Sequence, residues 1–168
     1  MDWNAVATEL PKVIPVIVGG LLAIGGGIAG QILTHQFSAR RERDKLIREK
    51  AELLISALYE HRDWLNRENS RLVFGADLQE QPSPLDRAYA LQELYFPELS
   101  GALRDITSTL IPIAKFFYTN ARARNTDKAT WIAAFDSNEF TPLYEAYLNA
   151  FKSATEQIVI ATRQRIKT

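Results

Sequence analysis

The sequence predicts an all-α protein: an N-terminal transmembrane helix followed by an antiparallel helical bundle. Three observations lead there. No Asp, Glu, Lys or Arg occurs from Val13 to Ala39. Beyond that run, apolar residues recur at steps of three and four, the spacing that gathers them on one helix face. Nowhere does an Asn-Gly or Asp-Gly turn interrupt alternating apolar residues, the pattern a hairpin would need. The expected organisation is a short extracytoplasmic leader over 1–12, a transmembrane helix over 13–35 and a cytoplasmic helical-bundle domain over 36–168.

The apolar run meets the roughly 20 residues needed to cross a ~30 Å hydrocarbon core, and its first polar side chain is Gln31. Its six glycines would make a poor helix in water, but in lipid the backbone has no other hydrogen-bond partner and helix is enforced. A cleaved signal peptide would want a basic leader, whereas this one sets Asp2 and Glu9 against Lys12. A buried soluble helix of this length would seldom lack a charge. The basic residues instead follow the run. Arg40, Arg41, Arg43 and Lys45 stand just after it, with Arg48 and Lys50 beyond. That asymmetry predicts the N-terminus outside and the domain in the cytoplasm of a bacterial inner membrane. Interleaved Glu42, Asp44 and Glu49 dilute the positive field, so the cluster is read as a topology determinant that also touches lipid headgroups. Gly19, Ala23 and Gly27 are four residues apart, as are Gly26 and Gly30. This spacing lets helix backbones approach closely, predicting self-association or docking on a partner's membrane helix.

From Ser38 to about Leu72 a charged helix is expected, with Ile47, Ala51, Leu54, Leu58, His61 and Leu65 on its buried stripe. Four i,i+4 pairs are expected to support it: Arg40–Asp44, Asp44–Arg48, Arg48–Glu52 and Asp63–Arg67. Gly75, Pro82, Ser83 and Pro84 then mark a loop. Ser83 is placed to cap a second helix, with Pro84 at its first position. Pro97 ends or bends that helix, because the residue before proline is pushed out of the helical region. A third helix from Pro97 onward carries Leu99, Leu103, Ile106, Leu110, Ile113 and Phe117, with a kink expected near Pro112. Asn125-Thr126-Asp127 and Asp136-Ser137-Asn138 read as breaks that flank a short helix. Thr141-Pro142 opens the last helix or lies in its first turn. Leu143, Tyr147, Ala150, Ala154, Ile158 and Ala161 form its stripe, and it ends in Arg163, Arg165 and Lys167, charges that suit a helix C-terminus.

The chain offers little that reads as chemistry. Twenty basic residues balance twenty acidic ones, which removes the electrostatic case for nucleic acid. There is no cysteine, so disulfides and thiol catalysis are excluded. Neither His35 nor His61 follows a Glu by three positions, as a di-iron bundle site would require. His61 is expected as a hydrogen-bonded core residue. The glycine-rich 25–30 segment lacks the Gly-Lys-Ser/Thr ending of a phosphate loop. No enzyme activity, cofactor, metal or small-molecule substrate is expected. Aromatic residues crowd the second half, and most are needed to fill the core. Tyr95, Phe96, Trp131 and Tyr144 are the candidates for a groove that takes a partner helix or peptide.

Leu94-Tyr95-Phe96-Pro97-Glu98-Leu99, together with a glycine-rich anchor running into Ala39-Arg40-Arg41-Glu42-Arg43, resembles a group of small uncharacterised bacterial single-pass membrane proteins with a cytoplasmic helical domain. The resemblance implies an inner-membrane setting and carries no activity with it. The function expected is a membrane-tethered interaction or sensing module that presents its bundle to a cytoplasmic protein. Two other readings stand beside it. One is an oligomerising effector that perturbs the membrane, of the toxin or phage-defence type. The other is the stalk subunit of a membrane complex, against which the prolines and aromatics after Gly75 favour a compact domain over an extended coiled coil.

Overall fold

Helix α1 runs from Trp3 to Glu68 in the computed structural model, which describes residues 3–167 and, of the side chains, those of 35 and 37–167. Two units divide the chain, Met1–Lys45 and Leu46–Thr168. In the first, the described side chains are mostly exposed, Arg40, Arg41, Arg43 and Lys45 among them. Gly19, Ala23, Gly26, Gly27 and Gly30 lie outside the described side chains, and so does the rest of the 13–35 span but for the exposed His35. Among the described residues no helix is long and apolar enough to cross a membrane.

The second unit is helical throughout its ordered elements. The last part of α1 ends in a π-helical turn, Asn69–Val73. Helix α2 follows at Leu85–Tyr95, α3 at Ser100–Thr126, α4 at Lys128–Ala134 and α5 at Phe140–Lys167. Short 3-10 turns precede α3 (Pro97–Leu99) and α5 (Ser137–Glu139). Contacts across the bundle fix its directions. Tyr59 meets Phe151 and His61 meets Tyr147, so α1 and α5 are antiparallel. Glu60 meets Arg87 and Lys50 meets Tyr95, so α1 and α2 are antiparallel as well. Glu98 meets Arg165 while Phe117 meets Phe140, which sets α3 against α5 in the same way. The result is an up-and-down bundle with α4 as a short cross-piece.

The expected stripes are the ones that go inside. Ala51, Leu54, Leu58, His61 and Leu65 of α1 are buried, as are Leu103, Ile106, Ile113 and Phe117 of α3 and Tyr147, Ala154, Ile158 and Ala161 of α5. Boundaries differ by a few residues. The Leu85 amide donates to Ser83 Oγ at 3.2 Å, but α2 starts at Leu85, one residue later than expected. A 3-10 turn takes the first three positions assigned to α3. Helix α3 continues through Pro112. In the turn before the proline, where its missing N–H leaves a gap in the ladder, Ser108 and Thr109 donate to the Asp105 and Ile106 carbonyls.

The charge pattern of α1 needs a correction. None of the four expected i,i+4 pairs closes among the described residues. Adjacent residues pair instead: Arg62 with Asp63 at 3.5 Å and Lys50 with Glu49 at 3.1 Å. Such exposed pairs contribute little, because solvent screens them and both side chains lose freedom. The helix is held by its buried stripe.

Candidate functional site

A concavity of about 710 Å³ lies between the C-terminal half of α3, α4 and the turn before α5. Two aspartates build it. Asp127 breaks the helix with extended backbone (φ −151°, ψ 98°) and caps α4, accepting from the Ala129 and Thr130 amides. The Thr130 hydroxyl donates to its other oxygen at 2.7 Å. That hydroxyl, then the Thr130 and Ala129 amides, hold the Asp127 carboxyl below the usual carboxylate range. Asp136, also extended, accepts from the Asn138 amide at 2.8 Å and starts the turn that leads into α5. Between them, the seven residues of α4 present Trp131 to the hollow.

Trp131 is half-buried and fixed at both ends. Its Nε1 donates to Asn120 Oδ1 at 3.0 Å, and Asn120 in turn donates to the Phe116 carbonyl. Its ring lies 5.1 Å from Phe135 and 6.3 Å from Phe74. Phe74 is 54% exposed and Ile132, next to Trp131, is 60% exposed. Asp127, Asp136 and Glu139 line the hollow against Arg122 alone, which leaves it net acidic. This arrangement suits binding. A rigid indole with an apolar rim accepts a flat or aliphatic group, and acidic neighbours favour a cation over its face. Among the described residues no group of three or more acidic or histidine side chains could hold a metal ion.

Of the four aromatics singled out from the sequence, only Trp131 lines this hollow. Phe96 is a correction. It is 0% exposed and therefore cannot meet a partner. Pro97 drives its backbone out of the helical region (φ −142°, ψ 56°), and the ring fills the core beneath Arg165, whose guanidinium lies 5.4 Å above it. Tyr95 is half-buried with the Lys50 ammonium 5.7 Å from its ring. Tyr144 is stacked between Phe140 and Tyr147 at 5.4 and 6.0 Å. The four do not come together. Asp127 and Asp136 were legible in the sequence as residues at breaks. Their convergence with Arg122 and Phe135 was not, because it depends on how α4 folds back on α3.

No family model, no curated protein and no solved structure matches the chain.

Proposed function

We infer that the chain is a membrane-tethered interaction module. The 13–35 segment holds it in the inner membrane with the N-terminus outside, and the bundle meets a cytoplasmic protein through the concavity around Trp131. The charge-free run and the basic residues after it support the tether. The observation that carries the partner reading is the aromatic, net-acidic hollow itself. Its chemistry fits a helix or peptide that carries an Arg or Lys beside an apolar residue. The cation would sit among Asp136, Glu139 and the indole face, and the apolar group against Phe135 and Ala134.

A photo-crosslinking residue at Ile132, in the full chain expressed in its membrane, tests this reading. The expected result is a discrete protein adduct that Trp131→Ala reduces by roughly 30-fold, the scale of a central tryptophan anchor. Glu139→Arg should weaken the adduct as well. An adduct no stronger than one formed from Ile111, an exposed position on α3, would sink it. So would an adduct indifferent to both substitutions.

A further inference from the structure

At the other end of the bundle, α1 and the last turns of α5 enclose a groove of about 370 Å³. Its floor is apolar, made by Ala51 and Ile55 of α1 with Val159 and Ile166 of α5. Three cations surround that floor, Arg48, Arg163 and Lys167, against one acid, Glu52. All three are exposed, and none has an acidic partner among the described residues. Some other basic side chains of the unit are paired, Arg71 on Glu68, Arg87 on Glu60 and Arg165 on Glu98, whereas these three converge unpaired on one apolar floor. Arg48 in particular is the residue whose pairing with Glu52 the sequence predicts and the structure does not form. An apolar floor bordered by two guanidinium groups and an ammonium is complementary to an acyl chain that ends in an anion.

We propose that this groove binds a single long-chain fatty acid, its tail along Ala51, Ile55, Val159 and Ile166 and its carboxylate between Arg48 and Arg163. A volume near the lower end of the range for small-molecule sites suits one chain in preference to a two-chain lipid. The planar guanidinium takes a carboxylate through two parallel hydrogen bonds. Lys167 lays its stem on the apolar wall and adds its charge at the mouth. The site lies apart from the Trp131 concavity, and its occupancy does not depend on a protein partner.

The test uses the full chain in nanodiscs of zwitterionic phosphatidylcholine, a diazirine-bearing palmitate as probe, and peptide mapping of the labelled sites. Label is expected on peptides containing Ile55 and residues 159–166, competed by unlabelled palmitate. The Arg48→Gln, Arg163→Gln double variant should lower it by at least roughly tenfold, the loss of one charge-assisted contact. Val159→Trp, which fills the floor from an exposed position, should abolish it while circular dichroism remains unchanged. The probe's methyl ester should label the groove at least roughly tenfold less. Label confined to the anchor would overturn the proposal. Equal labelling by the ester, or labelling indifferent to the arginines, would do so too. A groove that crosslinks to a second copy of the chain and excludes the probe would replace the fatty acid with self-association.

Discussion

His61 shows how one buried side chain gives the bundle a dependence on pH. It is 1% exposed, its Nδ1 lies 2.9 Å from the Tyr147 hydroxyl, and its Nε2 has no partner among the described residues. The Trp64 ring stacks on it at 5.4 Å. Burial lowers its pKa from 6.5 to about 4, so the folded chain holds the imidazole neutral. Burial, then Tyr144, raises the phenol of Tyr147 well above its ordinary value. The sign follows from the depressed value: the unfolded chain binds the proton first. Stability is full above pH 6.5 and is lost as pH falls toward 4. Urea unfolding at about pH 7.5 and about pH 4.5 should differ by about 2–3 kcal/mol through this group. His61→Leu should remove that component, and an unchanged pH slope in the variant would refute the assignment. The stripe position of His61 was legible in the sequence. Its partner, 86 residues away, was not, because the pairing depends on the register between α1 and α5. A second residue repeats this contrast. Gly75 was legible as a loop glycine, and its φ of +72° explains why glycine is there. Unforeseen was Arg124, whose guanidinium occupies the space a Cβ would need and donates to the Val73 carbonyl at 3.1 Å. Gly75→Ala should destabilise by about 1–3 kcal/mol, chiefly through backbone strain, since the Arg124 tip can shift. Thermal unfolding checks it.

At the scale of elements, the corner from Tyr95 to Ser100 shows local and distant forces agreeing. Pro97 stops α2, and the buried Gln92 amide donates to the Phe96 and Pro97 carbonyls at 3.2 and 3.4 Å. The Glu98 carboxylate then accepts from Nε and Nη2 of Arg165 at 2.8 and 2.7 Å, tying the end of α5 to this corner. Burial works to raise the Glu98 carboxyl, but the Arg165 hydrogen bonds and charge, with the backbone, hold it below the usual range. Both side chains are more than a third exposed, so solvent screens the pair. Glu98→Gln should cost less than about 1 kcal/mol globally while amides over 160–167 exchange faster. The corner explains why Leu94–Leu99 stands out in the sequence: it holds three elements in place. Helix breaks at Asp127 and Asp136 were equally legible, because capping is a local act. Asp127→Ala should lose amide protection at Ala129 and Thr130 and weaken any crosslink at Ile132, since α4 positions both. The π-helical turn at Asn69–Val73 was not foreseen. Its last residue, Val73, enters the core, and the half-buried Arg71 pairs with Glu68 at 2.6 Å; neither feature leaves a periodic mark.

For the whole molecule, one aromatic series runs through the bundle. Ring contacts lead from Phe74 through Phe135, Phe116, Phe140, Tyr144, Tyr147 and Phe151 to Tyr59. The crowding of aromatics in the second half is therefore largely core packing across α3, α4 and α5, as the sequence predicts. Both ends of the series reach solvent, at Phe74 and Tyr59, and its second ring, Phe135, lines the Trp131 hollow. The tether and the hollow together make the central claim, and the tether is its more exposed part. The chain's lack of cysteine allows a clean test: an impermeant maleimide on spheroplasts carrying Asn4→Cys or Ser137→Cys in the full chain. Label is expected at position 4 in intact spheroplasts and at position 137 only after lysis, with the chain retained in the membrane pellet. Label at position 137 before lysis, or a chain that leaves the membrane in carbonate, would contradict it.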